Sequence, residues 1–230
     1  MPAFQFPWFV DQVSAHPKSL VEEVRNEIVN MILSAEISPG ERIGEPLVAK
    51  KLGVSRVPVR EALRGLEPTG LVTSKPNNGV FVRKLSQQEI KDLYEMRALY
   101  DSFAAKAACR LSSAKHKALI SSLKHSLTRM KSASASQDTA MYYQENLLFH
   151  WELAKSCGNQ MFLESYQVTN QRLHLCRAAN LSKTGDRSSS LTEHESIFEA
   201  IRSKNGAAAE QITIDHASAA LARLYRAQIS

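Results

Sequence analysis

The sequence predicts a mainly α-helical protein, with an N-terminal winged helix-turn-helix domain and a C-terminal all-α helical bundle. Three observations carry that prediction. Residues Pro46–Leu66 read as two short helices about a tight turn at Leu52-Gly53-Val54. Two short apolar runs follow, separated by Lys75–Gly79 with an Asn-Gly pair, a strong hairpin signal. Beyond residue 86 apolar residues recur at helical spacing and no strand pattern appears.

Taken in order, residues 1–18 hold Phe4, Phe6, Trp8 and Phe9 around Pro7. They read as an N-terminal arm that packs its aromatics on the second domain or a partner subunit, against the plainer alternative of a disordered leader. Ser19-Leu-Val-Glu22 is a capping box, with Val21, Val24, Ile28, Met31 and Ile32 spaced as the buried face of a first helix. That helix ends before the turn Ser38-Pro39-Gly40. In the next helix Val48, Ala49 and Leu52 form an apolar edge, and Gly53 follows as a left-handed cap. Ser55 is expected to supply an N-cap hydroxyl to the second member of the pair, with Pro58 in its first turn. Val59, Ala62, Leu63 and Leu66 form its inner side, and Arg56, Arg60 and Arg64 recur on its outer side. Leu71–Thr73 and Val80–Val82 are the arms of the hairpin, completing a winged helix whose tip carries Lys75, Asn77, Asn78 and Gly79.

A further capping box, Ser86-Gln-Gln-Glu89, places the domain boundary near residues 84–86. The expected organisation is an arm (1–18), a winged helix (19–84) and a helical domain (86–228). The spacing predicts helices at 87–111, 113–132, 138–157, 159–180, 190–204 and 207–227. Polar breaks stand at Ser132–Gln137 and Leu181–Ser189, and Ser190-Leu-Thr-Glu193 reads as another capping box.

Charge points to a polyanionic partner. Between Lys50 and Lys84 eight basic residues face two acidic ones, which accounts for the chain's whole net charge of +6. Arg56 and Arg60, near the start of the recognition helix, are placed to reach base edges in the major groove. Ser55, Arg64 and the wing residues Lys75, Asn78 and Gly79 are placed to hold phosphates. Cys109, Cys157 and Cys176 are widely spaced with no CxxC, a pattern of free thiols in a reducing compartment. No apolar run approaches the roughly 20 residues that span a bilayer, and the first residues lack the basic leader of a signal peptide. A cytoplasmic protein is expected.

Among the seven histidines, His150, His194 and His216 each lie on an otherwise apolar stripe of a different helix. Asn146 stands four residues before His150, on the same face. One such histidine is commonly a satisfied core residue. Three of them with an oxygen donor could also form a metal site of the kind built between facing helices. His16, His116, His125 and His174 have no comparable setting and read as surface or core residues. Arg97 is expected to face inward with Tyr94 and Asp101, either bridged to Asp101 or available to a carboxylate ligand.

Residues 19–83 resemble the N-terminal domain of the GntR family of bacterial transcription regulators, most closely in LGVSRVPVREALRGLEPTGLV. Pro68 departs from that pattern and is expected to end the recognition helix early. Residues 87–228 resemble the FCD-type, FadR-like effector domain in Arg97-Ala-Leu-Tyr-Asp101, Asn146-Leu-Leu-Phe-His150, Gly158-Asn159, Glu193-His194 and His216. The resemblance implies a homodimer on a palindromic DNA operator, acting as a ligand-responsive regulator and foremost a repressor. It also implies a divalent metal, zinc or nickel first, held by Asn146, His150, His194 and His216. That metal binds a small carboxylate effector, with Arg97 as counter-charge. Asn146 stands where the pattern more often has Asp, so the site carries less negative charge and favours an anionic ligand. The rival reading is a metal-dependent hydrolase or lyase built on the histidines. It lacks an HExxH motif and a placed general base, because Glu193, next to His194, is expected to face away.

Overall fold

In a computed structural model, residues 19–178 and 187–229 are described; the aromatic arm, 1–18, lies outside them, as does most of the break expected at 181–189. These residues form nine α-helices and one three-stranded sheet. They divide into two units, one of residues 19–90 with 170–178 and one of residues 91–169 with 187–229.

In the winged-helix unit, α1 (Leu20–Leu33) begins at the expected capping box. Glu22 N donates to Ser19 Oγ at 3.3 Å and Ser19 N to Glu22 Oε2 at 2.9 Å. Val24, Ile28, Met31 and Ile32 are buried at the predicted spacing. After β1 (Arg42–Ile43), α2 (Glu45–Leu52) ends at Gly53, whose φ of 67° is the left-handed cap. The recognition helix α3 (Arg56–Leu66) buries Pro58, Val59, Ala62, Leu63 and Leu66 and packs on α1. It stops at Leu66, and Pro68 sits inside the following 3₁₀ turn, Glu67–Thr69.

The wing is β2 (Val72–Lys75) and β3 (Gly79–Val82), closed by Asn78 N donating to Lys75 O at 3.0 Å. Strand order is β1-β3-β2, all antiparallel, with Ile43 opposite Val80 and Lys75 opposite Gly79. Strand β1 has only two residues, too few to leave a periodic signal in the sequence.

The six helices of the C-terminal half are α4 (Gln87–Ala108), α5 (Ser113–Ala135), α6 (Thr139–Lys155), α7 (Gln160–Ala178), α8 (Arg187–Arg202) and α9 (Gly206–Ile229). The bundle core joins Ala104, Ala105 and Ala108 of α4 to Leu123, Phe149, Leu153, Ile197, Ile201 and Ala209. Small residues on α4 leave room for the larger side chains of α5, α6 and α8 in the same core. Helix α8 corrects the sequence reading. It starts at Arg187, so Ser190 lies inside it and Ser190–Glu193 is not a capping box. The residue pattern matched, but Glu193 has stronger partners elsewhere.

The last segment of α7 groups with the winged helix, although the sequence boundary assigned it to the second domain. His174 Nε2 lies 2.6 Å from Leu33 O, and the carbonyl can only accept, so the ring donates and caps the C-terminus of α1. Burial lowers the His174 pKa to about 3, which keeps the ring neutral. Arg172 Nε donates to Thr69 O at 2.6 Å, beside Gly70.

Candidate metal centre and nucleic-acid interface

Helix α6 carries Asn146 and His150 one turn apart, while α8 supplies His194, α9 supplies His216 and α4 supplies Arg97 with Asp101. All six side chains are buried, His194 completely. Their sequence neighbours explain this: Leu147, Phe149, Leu153, Ile197, Ile201 and Ala217 around them are core residues, so the polar groups are carried inward on the same faces. The three histidines offer nitrogens that all lie within 4.8 Å of one another. His150 Nε2 is 3.1 Å from His194 Nε2, and Asn146 Nδ2 is 2.9 Å from His194 Nε2.

The opposite ring nitrogens decide what these rings can do. His150 Nδ1 lies 3.2 Å from Asp101 Oδ2, His194 Nδ1 2.6 Å from Ser190 O, and His216 Nδ1 2.7 Å from Glu193 Oε2. The Ser190 and Glu193 oxygens are acceptors, so His194 and His216 carry their hydrogen on Nδ1 and present an Nε2 lone pair, whereas the ion-pair distance to Asp101 does not by itself fix the His150 tautomer. Two Nε2 lone pairs therefore converge with His150 Nε2, which lies 3.1 Å from His194 Nε2. Burial, with the neighbouring histidines and Arg97, pushes the His194 pKa well below its ordinary value. Burial likewise lowers His216 to about 3 against the opposing bond from Glu193. A neutral imidazole with its lone pair on Nε2 is the form that ligates a metal through that atom. Asn146 turns its amide nitrogen toward His194 Nε2, and only the flipped amide would bring an oxygen donor to the three histidines.

Arg97 borders the same space. Its Nε donates to Asp101 Oδ2 at 3.1 Å, its Nη2 lies 3.1 Å from His150 Nε2 and 3.4 Å from His216 Nε2, and its Nη1 is buried without a hydrogen-bond partner. An unsatisfied, buried guanidinium N–H is costly, and it is an attachment point for an anion. Asp101 is held ionised. Burial alone raises its pKa, but His150, Arg97 and the Tyr166 hydroxyl overcome that and lower it. Both readings of Arg97 thus hold in part, because the bridge to Asp101 uses only one edge of the guanidinium.

Glu193 overturns an expectation. It does not face away from the site; its carboxylate receives His216 Nδ1 and, bidentately, Arg223 Nη1 and Nη2 at 2.6 and 2.7 Å. Burial works to raise its pKa, yet His216 and Arg223 lower it to about 2. The helical offset from His194 was correct, but it turns Glu193 toward α9 instead of solvent. Asp101, Tyr166, Glu193 and Arg223 were not identified as site residues from the sequence. The available signal was their placement in step with the histidines: Asp101 is one turn from Arg97, and Arg223 is two turns from His216.

On the winged-helix unit, Ser55, Arg56, Arg60, Arg64, Lys75, Asn78 and Gly79 are all exposed. Two details differ from expectation. Ser55 occupies the N-cap position without a side-chain capping bond. Arg60 is paired with Glu45, Nη2 to Oε2 at 3.0 Å, although the arginine remains 56% exposed. Lys75 Nζ stands 4.5 Å over the Phe81 ring, which holds the wing-tip charge in place. No helix among the described residues is long and apolar enough to cross a membrane.

Comparison with known proteins matches both halves of the chain to known families. Residues 20–82 match the family of bacterial regulatory proteins, gntR family, and residues 92–219 match the FCD domain. The chain is 31% identical over 193 residues to YdhC of Bacillus subtilis, an uncharacterised HTH-type transcriptional regulator, covering 83% of this chain and 84% of that one. It is 32% identical over 147 residues to the Nta operon transcriptional regulator of Aminobacter aminovorans, covering 64% and 68%. A solved GntR structure from Rhodococcus sp. RHA1 shares the fold with a TM-score of 0.76 at 23% identity, over 90% of this chain and 98% of that one. These relatives are regulators, not enzymes, and both carboxylates at the histidine cluster are committed to fixed partners, which leaves the hydrolase reading without a base. The chain belongs to the gntR family of bacterial transcription regulators, with an FCD effector domain behind its winged helix.

Proposed function

We propose that the protein is a cytoplasmic, homodimeric repressor whose grip on a palindromic operator is set by a small carboxylate bound at a divalent metal in the helical domain. The observation that carries this reading is the convergence of three buried histidine Nε2 atoms beside the unsatisfied Arg97 Nη1. Asn146, His150, His194 and His216 are the ligands, with zinc or nickel suited to a nitrogen-rich set. A metal held there supplies positive charge to which a carboxylate binds. Arg97 takes the second contact to that carboxylate, because its Nη1 already lies buried with a donor to give.

At the DNA, Arg56 and Arg60 read base edges, and Ser55, Arg64, Lys75, Asn78 and Gly79 hold the backbone. Two-fold symmetry of the protein sets two half-sites. Effector binding acts by favouring one arrangement of the DNA-binding units over another, which requires different affinities for the two.

The test is elemental analysis of the untagged protein beside His150→Ala, followed by operator gel shifts with a panel of carboxylic acids. A near-stoichiometric divalent metal absent from the variant, and a carboxylate that weakens the shift, support the reading. A metal-free wild type that also refuses metal on titration overturns the metal assignment.

A further inference from the structure

The pair Glu193–Arg223 lies outside the four proposed ligands, yet every oxygen of its carboxylate is engaged. Glu193 Oε2 receives both His216 Nδ1 and Arg223 Nη2, each at 2.7 Å, and Oε1 receives Arg223 Nη1 at 2.6 Å. Arg223 is itself mostly withdrawn from solvent, its side chain 11% exposed. A fork-to-fork arginine pair fixes a carboxylate in position and orientation, where a single contact would let it swing. His216 has the same ring neighbours as the other histidines. Its ring centroid is 4.5 Å from that of His194 and 5.2 Å from that of His150.

The three histidines do not obtain their orientation in the same way. His194 is set by the Ser190 carbonyl of its own helix, and His150 Nδ1 lies 3.2 Å from Asp101, which Arg97 and Tyr166 also hold. For His216, Glu193 is the hydrogen-bond acceptor at Nδ1. That acceptor comes from the residue adjacent to His194, so helix α8 sets the ring contributed by α9.

We propose that Glu193, clamped by Arg223, is the positioning residue that fixes His216 in its Nδ1–H form and makes it a metal ligand. This inference rests on the metal reading above. Removing the carboxylate frees the His216 ring to exchange its hydrogen between nitrogens and to rotate, so one of the four ligands is no longer preset. An outer hydrogen-bond partner of a ligating histidine is typically worth 10- to 100-fold in metal affinity.

The experiment compares wild type, Glu193→Ala, Glu193→Asp and Arg223→Gln. Long-range proton–nitrogen spectra of the histidine rings in the presence of chelator report the His216 tautomer without any metal. Cobalt(II) and zinc(II) titrations against a chromophoric chelator then report affinity, with the cobalt ligand-field spectrum as a signature of the donor set. We expect His216 to be Nδ1–H in wild type and mixed in Glu193→Ala, with about a tenfold or greater loss of affinity. Arg223→Gln should lie between the two, and Glu193→Asp should recover part of the tautomer signal. An alanine variant that keeps the Nδ1–H form and binds zinc within about twofold of wild type overturns the proposal. A wild type that binds neither ion overturns the metal reading instead, and the tautomer spectra still decide whether Glu193 sets His216. Melting in chelator separates these outcomes from simple loss of fold, since a folded Arg223→Gln chain with altered tautomer signal cannot be explained by unfolding.

Discussion

The Tyr166 hydroxyl donates to Asp101 Oδ1 at 2.8 Å, on the carboxylate whose other oxygen receives Arg97 Nε. Tyr166, Asp101 and Arg97 are each at most 2% exposed, so this is a buried ion pair with its remaining lone pairs satisfied by a neutral donor. Such a network resists removal of one member more than its net worth suggests. Tyr166→Phe should cost about 1–3 kcal/mol, the range for an orphaned buried acceptor. Asp101→Ala should cost more, about 3–5 kcal/mol, because it strands the Arg97 charge. Urea unfolding of both variants in chelator checks the order. Equal stability of Tyr166→Phe and wild type would mean that the hydroxyl bond contributes nothing.

Acid should weaken the winged-helix unit through His174. Its folded pKa of about 3 lies below the ordinary 6.5, so between those values the unfolded chain binds the proton more readily. Its contribution is therefore complete above pH 6.5 and is lost as pH falls toward 3, at about 1.4 kcal/mol per pH unit. His174→Gln, a neutral donor at every pH, should lose about 2 kcal/mol less than wild type between pH 7 and pH 5. Amide exchange of α1 at the two pH values measures the difference.

Gly70 should not tolerate a side chain. Its φ is +73°, and a Cβ there meets Arg172 Nε at 2.6 Å, the atom already bonded to Thr69 O. Gly70→Ala combines left-handed strain with a displaced hydrogen bond and should cost about 1–3 kcal/mol. Removing Arg172 as well relieves only the clash. The double variant should recover part of the stability in a thermal melt, and full recovery would mean that the backbone strain is negligible.

At the DNA interface, the arginines and the wing should separate by assay. Arg60→Ala is expected to cost about 1–3 kcal/mol in operator affinity and relax base preference at one position. Lys75→Ala should weaken binding to all sequences alike and reduce the salt slope by about 1. Glu45 holds Arg60 in the free protein, so Glu45→Gln tests whether that pair restrains the arginine or presents it. Tighter operator binding by Glu45→Gln points to restraint. Weaker binding points to presentation.

Local rules gave most of the winged helix. Gly53, Pro58 and the Ser19–Glu22 box have physical effects confined to a few residues, and they stand in the structure as read. The donor cluster was legible for a similar reason: a histidine on an apolar stripe is carried inward with its helix. What failed depended on partners far away in sequence. Glu193 was placed by its offset from His194, but its destination is set by Arg223, 30 residues on, and by His216. Ser190 and Glu193 fitted a cap pattern, yet the helix had already begun three residues earlier. Strand β1 and the Glu45–Arg60 pair exist only because the chain folds back on itself.

The histidine cap on α1 bears on whether the DNA-binding half is a separable module. His174 stands 141 residues after Leu33, yet it supplies the donor for that helix's terminal carbonyl, and Arg172 does the same for Thr69. The unit is therefore discontinuous along the chain. Cutting the gene after codon 85 delivers a DNA reader with two of its own backbone acceptors uncovered, and a recombinant half-protein of that kind should melt earlier than the same segment within the full chain. Grafting this reader onto another sensor would require carrying the end of α7 along with it.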